Sequence, residues 1–338
     1  MRRHAGEKIV PGGNVAVLAN DAIGNFVAAT PLLQLLKTES KAASVHFWCG
    51  TRVAEFRHAP ELFDLFLPLH GSSPAELLGL IAEHTGSYDW IINLESTAHS
   101  KAIAGLLSGE LTFVSGPCVG PGGRGELSFP DDPQGELWAD RRWVAEDLKE
   151  RYPFLRSGFI AEIFARGCYF ESEIPPYRVP SQPPGQQPPD LLVATSASLP
   201  EKLWPREKWA WVLDRVGSAG YTAGLLGAKP KDQKTHWMGG TAEDELVAQG
   251  LLIDLRGQYS LPEVVGALGQ CRAVLTLDNG ILHLAVAARA RTVGLYRHGI
   301  HRLWAPPSDT LTVLTPGEGR EVSEIDPEIV WEAVAHAL

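Results

Sequence analysis

Apolar and polar positions fall into repeating blocks along this chain. A short apolar run closes on a turn signal, and apolar residues then recur at helical spacing. Residues 14–20, NVAVLAN, form the first such run and read as a buried strand. The turn DAIGN, residues 21–25, follows it. Residues 26–37 then carry a helical pattern with Phe26, Ala29, Leu33 and Leu36 on one side. Pro31 is placed near the first turn of that helix, where its missing N–H matters least. Residues 45–49, 90–94 and 111–115 read as further strands, with a helix at 77–84. GPCVGPGGRG, residues 116–125, is a loop by composition. Helices are expected over 136–151, with Trp143 and Leu148 among its apolar residues, and over 159–170.

Residues 175–189, PPYRVPSQPPGQQPP, interrupt the pattern. Seven prolines in this stretch leave little to build a core, and an extended linker is expected. Beyond it the alternation restarts. Strands are predicted at 191–195, 221–226, 253–255, 273–277, 292–296 and 311–314. Helices are predicted at 205–216, 243–249 and 261–268, after the 273–277 strand, and at 326–338. Trp209, Val212, Leu213 and Val216 make the apolar stripe of the first of these helices.

Alternating strands and helices imply an α/β fold with parallel sheets covered on both faces. The expected organisation is two Rossmann-like domains, 1–174 and 190–338, joined by the 175–189 linker with a cleft between them. The last helix is a candidate to pack back on the first domain. A length of 338 residues, more than one compact core usually holds, agrees with two domains.

Composition narrows the function. The chain is 44% hydrophobic and 21% charged, ordinary for a soluble globular protein. Its formal net charge of −10 argues against nucleic acid as a partner and leaves at most weak peripheral membrane contact. Four cysteines (Cys49, Cys118, Cys168, Cys271) lie far apart with no CxxC pattern, so structural zinc is not expected and a reducing cytoplasm fits. The amino-terminal stretch lacks the apolar segment of a signal peptide, and no apolar run reaches the length of a membrane span.

The candidate chemistry sits where strands run into turns. After the 273–277 strand come Asp278 and Asn279, both N-cap types, then Gly280 and a helical pattern that begins with Ile281 and Leu282. A strand turning directly into a helix presents N–H groups and a positive dipole end, a site suited to phosphate. His283, in the first turn, adds a donor. Lys202 follows the first strand of the second half, near Ser196 and Ser198. A lysine, hydroxyls and a helix start can together hold a diphosphate without metal. In the first half, Asp21 and Asn25 follow the first strand, Glu95 follows the 90–94 strand, and His99 lies in the loop STAHS. Each of these residues has a plainer reading as a cap or turn residue. A dinucleotide fingerprint is absent, since no GxGxxG follows any predicted strand.

Taken together, DAIGNFVAATPLLQLLK, EKLWPREKWAWVLDRV, LPEVVGALGQCRAVLTLDNGILHLAVAARARTVGLY and LWAPP resemble glycosyltransferase family 9, the family of the ADP-heptose heptosyltransferases. The resemblance runs from about Leu191 to Pro307 in the second half and mainly through residues 15–37 in the first. It implies two domains of the GT-B type, a nucleotide-sugar donor on the second, an acceptor on the first, inversion at the anomeric carbon and no metal in the catalytic step. It places Lys202 at the donor phosphates with Ser198 beside it. Asp278, Gly280 and His283 match an acid–hydroxyl–glycine–x–x–histidine motif, with Asn279 replacing the hydroxyl residue. Asp232 stands where the family tends to carry an acid facing the nucleoside.

Asn25 departs from the family, whose general-base members commonly carry Asp directly after this glycine. An amide cannot accept a proton at neutral pH, which leaves Glu95 and Asp21 as candidates for the base. The resemblance thus implies a glycosyltransferase acting from an ADP-linked donor, with no cofactor beyond it, on a glycan, lipopolysaccharide core or soluble acceptor. A nucleotide-sugar epimerase of similar architecture and a sugar-nucleotide-binding protein without turnover are the competing readings. The loop RHGIHRLWAPP lacks the Gly-Pro-Thr turn usual in the family at this place. His298, His301 and Arg302 are therefore candidates for shaping donor or acceptor preference.

Overall fold

The computed structural model describes residues 1–7, 13–229 and 240–338. They fall into two compact units, Met1–Arg178 and Val179–Leu338. Among the described residues each unit carries a six-stranded, wholly parallel sheet.

In the first unit the strands are β1 (Arg2–Arg3), β2 (Asn14–Leu18), β3 (Ser44–Gly50), β4 (Leu65–His70), β5 (Trp90–Asn93) and β6 (Phe113–Ser115). Their spatial order is β1-β6-β5-β2-β3-β4, so the order reverses between β2 and β5. Val15, Ala16, Val17 and Leu18 of β2 are fully buried, as a strand covered on both faces must be.

Two edge strands had no clear sequence signal. β4 contains Pro68, which an inner strand would exclude but an edge strand tolerates. β1 is two arginines, and charge suits a sheet edge.

Helix α1 spans Ile23–Thr38, earlier than the predicted start, so Asn25 lies in its first turn and Pro31 in its interior. The ring of Pro31 removes the N–H that would have bonded the Val27 carbonyl. The Thr30 hydroxyl takes its place, donating to Val27 O at 2.8 Å and accepting from Arg178 N at 3.2 Å. Phe26, Val27, Ala28, Ala29, Leu32, Leu33, Leu35 and Leu36 are all buried, not one stripe alone, because α6 (Ile160–Gly167) covers the side of α1 away from the sheet. Burying a large apolar side chain contributes roughly 1.5–3 kcal/mol, so this sandwiched helix is a main source of the unit's stability.

The other helices preceding α6 are α2 (Pro74–His84), α3 (Ala98–Leu107), α4 (Pro133–Ala139) and α5 (Leu148–Arg151). The single helix expected over 136–151 is therefore two. Asp140 ends α4, and its carboxylate accepts from Arg142 N at 2.8 Å and Tyr152 OH at 3.2 Å while pairing with Arg151. The Trp143 indole donates to Leu137 O at 2.8 Å. Side chains have taken over the backbone's partners there, and the helix stops.

The second unit has β7 (Leu191–Ala194), β8 (Ala223–Leu225), β9 (Ile253–Asp254), β10 (Ala273–Leu277), β11 (Thr292–Leu295) and β12 (Leu311–Leu314). Their order is β12-β11-β10-β7-β8-β9, with the reversal between β7 and β10. Helix α7 (Arg206–Ser218) buries Trp209, Val212, Leu213 and Val216, the predicted stripe. The carboxyl-terminal helix, Pro327–Ala337, places Val330, Val334 and Ala337 in this same core, against α7, β10 and β11.

The proline-rich segment is tied down on both sides of the division at 178/179. Tyr177 is buried and its ring packs on Phe159 at 5.7 Å. Gln182 N donates to Pro262 O at 2.9 Å, and a Cβ on Gly266 would lie 1.9 Å from Gln182 O, so only glycine admits this contact.

Thr30→Val keeps shape but leaves the buried Val27 carbonyl without the hydroxyl donor and the Arg178 N–H without its acceptor. A loss of roughly 2 kcal/mol is expected in chemical denaturation of the first unit, with Thr30→Ser nearly neutral.

Candidate active site

In a doubly wound sheet, ligands bind at the carboxyl ends of strands where the order reverses. The predicted polar residues gather at both reversals, and the local backbone explains how.

In the first unit the β2–β5 pairing runs to the last residue of β2 and one residue past β5: Leu94 N donates to Leu18 O at 2.9 Å. This brings the turn after β2 against the turn after β5. Asn93, fully buried, holds the second turn by accepting from Glu95 N at 3.1 Å and donating to Pro117 O at 2.7 Å. Asn20 holds the first, its side-chain oxygen accepting from Ala22 N at 2.7 Å.

Glu95 is half-buried between these turns, and Asn20, through backbone and side chain, and the Asn25 amide donate to its carboxylate. Burial is the larger effect on its acidity and the nearby Asp21 charge adds to it; against the amides they raise its pKa to about 7.

Asp21 is committed elsewhere. Its carboxylate pairs with Arg52 at 3.3 Å, and its side chain occupies the space that a Cβ on Gly50 would fill, 1.8 Å from the Asp21 Cβ.

His99 is exposed at the start of α3, with its ring 5.4 Å from that of His70 at the end of β4. Asn20, Arg52, His70 and Asn93 were not anticipated. Arg52 and His70 follow β3 and end β4, so recognising β4 would have pointed to His70.

In the second unit the turn after β7 leads through Thr195, Ser196, Ala197 and Ser198 into a short 3-10 turn, Pro200–Lys202. Trp204, two residues on, fixes it: the indole is buried and donates to Ile325 O at 3.0 Å. The Lys202 ammonium thereby reaches the Asp278 carboxylate at 2.7 Å and the Asp278 carbonyl at 3.2 Å. This pair is nearly withdrawn from solvent, the side chains being 16% and 7% exposed. Asp278 N bonds Leu295 O at 3.1 Å, continuing the β10–β11 ladder. Ser198 is exposed on the loop.

The helix after β10 runs Gly280–Ala287, and its cap is Asn279 alone. The Asn279 side-chain oxygen accepts from Ile281 N at 2.9 Å and Leu282 N at 3.3 Å, and its amide donates to Ser196 O at 3.1 Å. Asp278 is therefore an ion-pair partner and not a second cap. Asn279 thus occupies two of the helix's N–H groups and stitches the turns after β7 and β10 together. His283 is buried beneath the turn with its ring edge-on to Trp304 at 6.1 Å. Burial lowers its pKa to about 4 despite Asp278, so it is neutral at pH 7. Asp232 lies outside the described residues.

A second buried network stands beside this turn. The Thr195 hydroxyl donates to Glu243 at 2.7 Å, Glu243 meets Arg256 at 3.4 Å, and Arg256 holds Asp254 at 2.8 Å and Asp244 at 2.9 Å. Among the described residues no group of three or more His, Cys, Asp or Glu is placed to hold a metal ion, and no helix is long and apolar enough to cross a membrane.

Two doubly wound units, each with a polar cluster at its strand reversal, define an α/β protein of the GT-B class. The profile of glycosyltransferase family 9 (heptosyltransferase) matches residues 176–327, so the second unit is similar to that family over nearly its whole length. Lipooligosaccharide heptosyltransferase 2 of Haemophilus influenzae is 28% identical over 120 residues, 36% of this chain and 34% of that protein. The chain thus spans about a third of the length of that curated relative.

Two solved structures share the fold throughout. One is a glycosyl transferase family 9 protein from Veillonella parvula, with TM-score 0.69, 14% identity and 98% of each chain covered. The other is E. coli ADP-heptose lps heptosyltransferase II, with TM-score 0.67, 18% identity, and 96% of this chain and 98% of that one covered.

Lys202→Met strands the Asp278 carboxylate in a buried setting. A loss of roughly 3 kcal/mol is expected in denaturation of the second unit, and adding Asp278→Asn should recover a good part of it in a double-mutant cycle.

Glu95 gives a stability signature of its own. Its folded pKa of about 7 stands above the ordinary 4.5, so the stability it contributes is full below 4.5 and lost as pH rises through 7. Glu95→Gln should therefore raise the melting temperature at pH 8 and leave it unchanged at pH 4.

Proposed function

We propose that this chain is an inverting glycosyltransferase that moves a sugar, a heptose, from an ADP-linked donor to an acceptor hydroxyl of a glycan. The observation that carries this reading is Glu95, a carboxyl with a pKa of about 7 at the first unit's strand reversal, held by two amide side chains and, among the described residues, by no cation. A base that removes a hydroxyl proton at neutral pH works best with such a pKa. The family match over the second unit and the ADP-heptose heptosyltransferase fold support the donor class.

The reaction follows from these groups. The donor diphosphate binds at the turn after β10, with the Lys202 ammonium, positioned by Asp278, against it. The acceptor oxygen attacks the anomeric carbon from the face opposite the diphosphate. Its proton passes to the Glu95 carboxylate as the new C–O bond forms. The bond from the anomeric carbon to the phosphate oxygen breaks, and its electrons leave with ADP. Negative charge grows on that phosphate oxygen, so Lys202 and the N–H groups of the turn that Asn279 does not cap bind it more strongly in the transition state than before.

Asn25 orients Glu95 by its amide. No metal takes part in this scheme. The acceptor belongs to lipopolysaccharide core or to a soluble glycan, and the chain's acidic balance favours one reached without strong electrostatic docking on anionic lipid.

A pH series of kcat/KM tests the assignment. The rate should climb tenfold per pH unit below about 7 and level off above it, because only ionised Glu95 accepts the proton. Glu95→Gln should lose on the order of 100-fold or more and flatten that limb, while Asp21→Asn keeps it. A flat profile in the unaltered enzyme, or full activity in Glu95→Gln, would remove Glu95 from the reaction.

A further inference from the structure

The mechanism leaves one cavity of the second unit unused. It has a volume of about 260 Å³ and is lined by Glu201, Arg297, His298, Ile300, Arg320 and Glu321, with a glycine between the loops. Its place follows from the chain. Glu201 is the neighbour of Lys202 in the same 3-10 turn. Arg297 and His298 leave the end of β11, the strand whose Leu295 carbonyl holds Asp278 N. Arg320 and Glu321 come from the segment after β12. Along the carboxyl edge the order is therefore β7, then β10 with its phosphate turn, then β11 and β12 with the cavity.

The lining states what fits. At under roughly 300 Å³ the space is smaller than pockets for drug-sized ligands, so it holds one sugar ring and not a nucleotide. Ile300 is the one large apolar side chain in it, a poor bed for a nucleobase. Two guanidinium groups and two carboxylates balance, so an anion gains little net attraction. Hydroxyl groups, which donate and accept, suit alternating carboxylate acceptors and guanidinium donors. Arg297 already spends one N–H on Glu201 at 3.1 Å, and its buried Nε–H finds no acceptor among the described residues. A ligand oxygen would supply one.

We propose that this cavity receives the donor's sugar, with Arg297, Arg320, Glu201 and Glu321 reading its hydroxyls. This rests on the nucleotide-sugar reading above. It assigns the diphosphate to the β10 turn and the sugar to the β11–β12 side.

Calorimetric titration of the full chain with ADP and with ADP-linked heptose decides it, comparing the unaltered protein with Arg320→Ala and Glu321→Gln. Arg320 is exposed, and Gln at 321 keeps the side-chain oxygen with which Glu321 caps the short turn Val322–Glu324, so the fold tolerates the changes. ADP affinity should stay within about twofold, while ADP-heptose affinity falls about tenfold in Arg320→Ala and by less in Glu321→Gln. Equal losses for ADP and ADP-heptose, or no loss for either, would overturn the sugar assignment. If the unaltered chain takes up neither compound, the donor reading itself fails and the assignment with it.

Discussion

A parallel sheet delivers every strand's carboxyl end to one edge, and where the strand order reverses, the two connections leave in opposite directions. The space between them is lined by backbone that no further strand can pair. In each unit this constraint creates the site. At the ends of β2 and β5 a single extra bond, Leu94 N to Leu18 O, keeps the two turns in contact and so sets Glu95 against Asn20 and Asn25. Past β7 and β10 the Asn279 amide does the equivalent, bonding Ser196 O from the opposite turn.

The two reversals solve the problem of a buried charge differently. In the second unit charges are matched: Lys202 with Asp278, and Arg256 with Glu243, Asp254 and Asp244. Matched pairs fix one another's place, so this surface is rigid before any ligand arrives. In the first unit Arg52 is occupied by Asp21, and Glu95 receives only amide donors. A carboxylate given dipoles but no cation remains reluctant to ionise. The same fold thus builds a fixed electrostatic frame at one reversal and a carboxyl of raised pKa at the other.

Much of this was legible in the chain, and the gaps have physical causes. Strands buried on both faces announce themselves as continuous apolar runs, and β2, β7 and β10 were plain. β4 was hidden by Pro68, a residue whose meaning changes at a sheet edge. The break at Asp140 depends on side chains capturing backbone groups, which periodicity does not register. Lys202, Asp278 and Asn279 could be singled out by type and position. That Asp278 serves the lysine while Asn279 alone caps the helix required the strand order. The contact between Asn25 and Glu95 was equally hidden, because about seventy residues of chain separate them.

Placing the amide at 25 and the acid at 95 has a consequence for acidity. An acid at the position of Asn25 would sit in the first turn of α1, where the helix's positive end favours its ionised form and makes it a weaker base. Glu95 follows a strand, and burial with the nearby Asp21 charge holds its pKa near 7 even against its amide donors. Two carboxylates in hydrogen-bond contact would share one proton and titrate as a pair, so an acid at 95 favours a neutral donor at 25. Asn25 meets that need: it carries no charge to compete, and its amide fixes the Glu95 carboxylate in place. Asn25 and Glu95 are then one arrangement, in which an uncharged amide on the helix steadies a buried acid beside the neighbouring strand.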